Sequence, residues 1–302
     1  MFLPPQARLP KTPFTSQHAA DLGITRRQLG EMVRNGEVRR VLQGVYQLSR
    51  EPDNLVNRAK AAHLVMQPFG IICDRTAAWV HGVDTFDVRE LEILPPLECF
   101  VLRDMARVRR LGCLGGERDL APNDVNLVHG VPVTTPLRTA LDLGCRLGRR
   151  DALAAIDGFM RQHTISRARL KAELSRYRGR RGVVQLRVVV GLGDPRSESP
   201  SESWTRMAIV DAGLPLPELQ YWVCERGRAV FRLDLAYPRH RVAVEYDGLD
   251  YHSSHEQRAA DAKRREWLRE RGWTIIVVTK DSFQGDGLDS WLRELRTALR
   301  LG

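Results

Sequence analysis

Cysteine is scarce in this 302-residue chain: five residues, at 73, 99, 113, 145 and 224, with no CxxC pair among them. An odd count without paired spacing excludes a disulfide framework and a zinc ribbon, and makes the reducing cytoplasm the expected compartment. No run of eighteen apolar residues occurs, which excludes a membrane-spanning helix, and no membrane partner is expected. The opening "MFLPPQARLPKTPF" has no basic segment followed by an apolar core, so no secretory signal is read. Acidic residues run short in one region only. Residues 101–190 hold 18 Lys and Arg against 8 Asp and Glu, a net +10, whereas residues 1–100 hold 12 against 11 and residues 191–302 hold 17 against 18. A positive field concentrated in the middle third fits a polyanion partner, most simply double-stranded DNA. The plainer alternative is that arginine is frequent throughout and brings its charge along.

What is present reads as a folded protein of two or three domains: 43% of residues are hydrophobic and 28% charged. Residues 15–47 read as two short helices and a hairpin. Thr15 or Ser16 caps the first helix and Gly23 ends it. The second, "TRRQLGEMVRNG", starts at Thr25, places Leu29, Met32 and Val33 on one face and stops at Gly36. "EVRRVLQGVYQLS" alternates Val38, Val41 and Val45 around Gly44, as a small wing does. Helix, turn, helix and wing is the winged helix-turn-helix order, whose second helix enters the major groove. The candidate DNA-binding residues are Thr25, Arg26, Arg27, Gln28 and Arg34 on that helix, with Arg39 and Arg40 on the wing for phosphates. The competing reading is a two-helix cap whose arginines are merely solvated.

The pieces "GITRRQLGEMVRNGEVRRVLQGVYQL", "RAKAAHL", "DRTAAWVHGV" and "VTTPLRTALDLG" resemble the N-terminal region of AbiEi-type antitoxins over about residues 15–145. The resemblance implies DNA binding by a winged helix that represses its own operon within a type IV toxin–antitoxin pair, with a cognate toxin as protein partner.

Further along, "LEILPP", "CFVL" and "VNLVHGVPVTT" read as strands. "PLRTALDLGCRLG", "RRDALAAIDGFMRQ" and "SRARLKAELSRYRG" read as three helices, with Pro136 at a helix start and Ser166 as a cap. The third carries Arg167, Arg169, Lys171, Arg176, Arg178, Arg180 and Arg181, either a track for a DNA backbone or a solvated face. The Gly/Ser/Pro-rich "GLGDPRSESPSES" breaks the periodicity and reads as a boundary. The expected division is therefore 1–57, a winged helix-turn-helix; 58–190, a basic mixed α/β region; and 191–302, a separate α/β unit. The fold class is a multidomain α+β and α/β chain.

The last unit reads as α, β, β, α, β, α. "VFRLDLAYP" and "RVAVEYDG" form a hairpin, "SSHEQRAADAKRREWLRERG" is a long helix with Ser253 and Glu256 as a capping box, and "WTIIVVT" is a strand apolar on both faces. Strand alternation puts Glu245 and Asp247 on one face, and hairpin pairing brings Asp234 beside Glu245. Carboxylates gathered this way repel one another unless a cation neutralises them. Mg²⁺ or Mn²⁺, held by Asp234, Glu245 and Asp247, would lower the pKa of an attacking water, the chemistry of phosphodiester hydrolysis.

"SPSES", "RLDLAYP", "VAVEYDGLDYH", "DAKRREWL" and "GWTIIVVT" resemble the PD-(D/E)xK nuclease superfamily over residues 198–283, most nearly the branch of very-short-patch repair endonucleases. The resemblance implies a restriction-endonuclease-like fold, with Glu202, Asp234 and Glu245 as catalytic carboxylates and Asp261 and Arg264 as a supporting D-x-x-R pair. Asp247 stands where the superfamily has lysine, which leaves His252 as the expected proton-handling group. Other readings give Glu202 to the helix dipole or to Arg206, Asp247 to the turn before Gly248, and Asp261 with Arg264 to a local salt bridge. The preferred expectation is a DNA-binding protein with a metal-dependent endonuclease domain. The alternative is a non-enzymatic regulator of the AbiEi antitoxin type that keeps the nuclease fold as a scaffold.

Overall fold

A computed structural model describes residues 5–67, 69–85, 96–105, 113–248 and 255–301. The chain mixes helices with three sheets and divides into two compact units, Met1–Cys145 and Arg146–Gly302.

The first unit opens with β1 (Phe14–Thr15), α1 (Ser16–Asp21), α2 (Arg26–Arg34), β2 (Val38–Leu42) and β3 (Val45–Leu48). The helix, helix and hairpin expected from the sequence are present. Thr15 caps α1 by accepting from the His18 amide. Thr25 and Gln28 close a reciprocal capping box on α2, satisfying two backbone donors that a helix start otherwise leaves open. The three strands pair antiparallel in the order β1-β3-β2, and Gly44, at φ +76°, makes the turn that an L side chain resists. Phe14, Ala19, Ile24, Leu29, Met32, Val38 and Leu48 fill the space between helices and sheet.

A second layer of the same unit holds α3 (Leu55–Val65), β4 (Ile71–Ile72), α4 (Asp74–Val80), β5 (Leu97–Leu102), β6 (Cys113–Leu114), β7 (Glu117–Arg118), β8 (Val125–Val128), β9 (Val131–Thr134) and α5 (Pro136–Arg146). The strand order is β6-β5-β4-β9-β8, with β7 also on β5. "CFVL" and "VNLVHGVPVTT" form strands as read, whereas "LEILPP" lies almost wholly outside the described residues. Alanine-rich helix faces allow close packing here: Ala59, Ala61, Ala62 and Ala77 meet Ile72, Leu97 and Val133. A chain of buried charges crosses this core. Arg118 donates to both oxygens of Asp74 (2.7 and 2.8 Å) and to Asp142 (3.2 Å), and Arg138 donates to Asp142 (2.9 Å) and Asp124 (2.8 Å).

The second unit begins with α6 (Arg149–Gln162), α7 (Arg167–Glu173), α8 (Val183–Leu192) and α9 (Pro200–Asp211). A four-stranded sheet follows: β10 (Glu218–Glu225), β11 (Arg228–Tyr237), β12 (Val242–Tyr246) and β13 (Thr274–Val278), hydrogen-bonded in that order. The first three run antiparallel. The crossover through α10 (His255–Glu270) makes β12 and β13 parallel, and α11 (Gly285–Ala298) closes the chain. One face of the sheet packs Leu235, Val242, Val244, Ile276 and Val278 against Ile209, Trp291 and Leu295; the other carries Leu233, Ala243 and Ile275 against Leu268 and Trp273. Two elements go beyond the expected order: β10, which adds a strand, and α8.

The expected boundary at 191 is not where the units divide. Helices α6 to α8 belong with the sheet, and the Gly/Ser/Pro stretch is a packed turn. The Asp194 amide donates to Asp157 Oδ1 at 2.8 Å, Ser203 donates to Asp157 Oδ2 at 2.7 Å, and Arg206 pairs with Asp157 while donating to the Leu192 carbonyl at 2.8 Å. Gly193 lies so close to α6 that a Cβ there would stand 2.8 Å from both Ile156 and Met160. Its glycine serves close packing and not a flexible link. Most of the positive field therefore belongs to the second unit, since residues 146–190 hold 12 Lys and Arg against 3 Asp and Glu.

Candidate functional site

Two constellations arise from the sequence, one in each unit. In the first, α2 exposes Thr25, Arg26, Arg27, Gln28 and Arg34. Their situations differ. Thr25 and Gln28 are bonded to one another through the capping box (2.9 to 3.2 Å), so they position the helix start. Arg27 pairs with Glu31 one turn on, at 3.1 Å. Arg26 and Arg34, at the two ends of α2, are exposed and form no hydrogen bond or ion pair among the described residues. On the hairpin, Arg39 turns inward and donates to Gln47 Oε1 (3.2 Å) and to the Glu51 carbonyl (2.9 Å), a structural role. Arg40 stays exposed, its guanidinium 6.0 Å from the Tyr46 ring centroid. Of the residues named from the sequence, Arg26, Arg34 and Arg40 are thus exposed and not ion-paired among the described residues.

The basic run of the second unit is likewise mixed. Arg167 donates to the Gly193 carbonyl (2.6 and 2.9 Å), Arg169 and Arg176 pair with Glu173, and Arg180 lies over Tyr177 at 4.9 Å. Lys171, Arg178 and Arg181 are exposed.

The second constellation sits where β11, β12, α9 and α10 meet. Leu235 pairs with Val244, so continuing that register sets Asp234 opposite Glu245, as hairpin pairing predicts. Glu202, the third residue of α9, accepts from the Ser199 hydroxyl, the Glu198 amide and Gln220 Nε2, each at 2.9 Å. It sits in the first turn of a helix capped by Ser199 and leaves Arg206 to Asp157. Glu245 is only 4% exposed and both its oxygens accept from Arg264, Oε2 at 2.9 Å from Nη1 and Oε1 from Nη2. Asp247 accepts from Arg265 at 2.7 Å, and its amide extends the ladder to the Val278 carbonyl at 2.8 Å. Glu245 and Asp247 do point the same way, toward α10. Asp261 is exposed, and Arg264 reaches Glu245 instead of it. His252, Ser253 and Asp250 lie outside the described residues, and so does the side chain of Glu256.

Asp234 is the open member. It is half-buried and has no hydrogen-bond partner among the described residues, and burial together with the carboxylates of Glu202 and Glu245 pushes its carboxyl up to about 7. Beside it is a residue the sequence did not single out. Gln220 holds φ at +54°, donates to Glu202, and its Oε1 is buried without a partner. The donor set is all oxygen, which suits Mg²⁺ by type. The arrangement does not fit it: the lone pairs of Glu245, Asp247 and Glu202 face arginines or helix-start donors, and among the described residues no three His, Cys, Asp or Glu side chains form a ligand group.

Comparison with known proteins bears on both units. Residues 11–49 match the family model described as "Transcriptional regulator, AbiEi antitoxin", and residues 70–192 match "AbiEi antitoxin C-terminal domain". Two uncharacterized proteins from two strains of Mycobacterium tuberculosis, MT2308 and Rv2248, are each 35% identical over 259 residues, 85% of this chain and 91% of their own length.

Proposed function

From a chain that belongs to one family with its mycobacterial relatives and carries AbiEi antitoxin domains at 11–49 and 70–192, we propose a DNA-binding transcriptional regulator of the antitoxin type. The observation that carries this reading is that Arg26, Arg34 and Arg40 are exposed, on a capped helix and the hairpin that follows it, inside the segment matched by the regulator model. Under this reading residues 14–48 act as a winged helix-turn-helix. Helix α2 lies in the major groove, and Arg40 on the hairpin meets the phosphate backbone. A cognate toxin is the protein partner this role calls for. The carboxylate-bearing sheet of the second unit serves as a scaffold, which accords with an arrangement in which Glu202, Glu245 and Asp247 are already ion-paired or hydrogen-bonded.

The test is fluorescence anisotropy of the full chain on duplex DNA from upstream of its own gene, over a salt series. Wild type binds with a steep salt dependence, and Arg26→Ala/Arg34→Ala loses most of that affinity. Equal binding by wild type and the double variant would refute the placement of DNA on α2.

A further inference from the structure

Glu202, Asp234, Glu245 and Asp247 gather four carboxylates in the second unit, and such a group needs positive charge to offset its repulsion. We infer that Arg264 and Arg265 are the resident counter-ions of this cluster, and that it stays closed to a divalent cation while Arg264 holds Glu245. Three observations carry the assignment. First, consecutive arginines of α10 reach one carboxylate on β12 and one just past its end: Arg264 takes both oxygens of Glu245, and Arg265 takes Asp247 at 2.7 Å. A bidentate guanidinium occupies the carboxylate directions that a metal ion would use. Second, Arg264 is held in place from other sides. Its Nη2 also donates to the Arg232 carbonyl at 3.4 Å, and its guanidinium lies 6.0 Å from the Phe231 ring centroid. Third, the remaining acid that could help a cation, Glu202, is satisfied by Ser199, Glu198 and Gln220. Among the described residues Asp234 is the one sheet carboxylate of this group left without a hydrogen-bond partner, Asp261 being exposed on α10; that does not make a Mg²⁺ site, since the ion demands octahedral oxygen geometry at about 2.0–2.1 Å.

The cluster is thus a salt-bridged joint between β12 and α10, with the positive charge built in. It also follows that the closure is a property of one side chain. Replacing Arg264 by a neutral group frees both Glu245 oxygens next to Asp234, with Gln220 Oε1 as a further acceptor nearby.

Mn²⁺ alone, titrated into the full chain and followed by electron paramagnetic resonance of the free ion, tests this. Wild type is expected to bind Mn²⁺ no tighter than about 1 mM, and its melting temperature to be the same in EDTA and in Mn²⁺. Arg264→Gln is expected to gain one Mn²⁺ site with affinity raised at least about tenfold, and Arg264→Lys to bind more weakly than Arg264→Gln. Micromolar Mn²⁺ binding by wild type that disappears in Glu245→Gln overturns the inference. So does a folded Arg264→Gln with unchanged Mn²⁺ affinity. Circular dichroism establishes folding; if Arg264→Gln does not fold, the wild-type titration and melts decide.

Discussion

Arg138 and Asp142, one turn apart on α5, form an ion pair at 2.9 Å inside the first unit, with the Arg138 side chain 3% exposed. The same guanidinium reaches Asp124 at 2.8 Å, and Asp142 in turn meets Arg118. Arg138→Met keeps the volume but leaves Asp124 buried without this cation. The expected cost is about 3–5 kcal/mol in urea unfolding of the first unit, because removing one partner of a buried ion pair is strongly destabilising. A loss below about 1 kcal/mol, the range of exposed pairs, would show that the network opens to water.

Arg39 and Arg40 are neighbours on β2 with opposite fates, one bonded inward and one exposed, and this separates a role in the fold from the proposed DNA contact. Arg40→Ala should weaken DNA binding, flatten its salt dependence by about one counterion and leave stability nearly unchanged. Arg39→Ala should lower stability by roughly 1 kcal/mol through lost hydrogen bonds to Gln47 and the Glu51 carbonyl, and leave the salt slope as it was. Melts and anisotropy on the same two variants would expose any exchange of roles.

Asp234 carries a pH signature. Its carboxyl titrates near 7 in the folded chain against 3.8 when free of its surroundings. Between those values the folded chain keeps a proton that the unfolded chain has lost, so this group makes stability decline as pH rises from about 4 to about 7, on the order of 1 kcal/mol per pH unit at most. Asp234→Asn removes that slope. The variant should therefore gain stability over wild type at pH 8 compared with pH 5, read by denaturant unfolding at both. A constant difference between the two proteins would refute the assignment.

Supercoiled plasmid incubated with the full chain and Mg²⁺ should remain supercoiled, and the same DNA should be retarded on a gel. Nicking that vanishes in Asp234→Ala and Glu245→Ala would restore the hydrolytic reading of these carboxylates.

Local signals in the sequence account for much of the architecture. Thr25 with Gln28 marks the start of α2, the alternation through β11 and β12 sets Asp234 against Glu245, and the apolar run of β13 reads as a strand covered on both sides. Two elements were hidden by their composition. Strand β10 breaks its alternation at Gln220, where φ is +54°, and exposes Trp222. Helix α8 is rich in valine, a residue whose stiff side chain favours strands, and it is helical because packing of Leu186, Val189 and Val190 outweighs that preference. The site was legible as a group of acids but not as a set of partnerships. Spacing along a chain does not reveal that Arg264 lies across from Glu245, nor that Arg206 answers Asp157 from 49 residues away. Such pairs are decided by which helix covers which strand end.

The Asp157–Arg206 pair also limits how this chain can be taken apart or recombined. The family match ends at 192, an inviting place for a junction, yet a fragment stopping there keeps Asp157 and discards Arg206, Ser203 and the Asp194 amide that answer it. Grafting the helices α6 to α8 onto another sheet, or the sheet onto another regulator, would leave one half with a charge facing no counterpart. The compact unit Arg146–Gly302 keeps Asp157 together with every group that answers it.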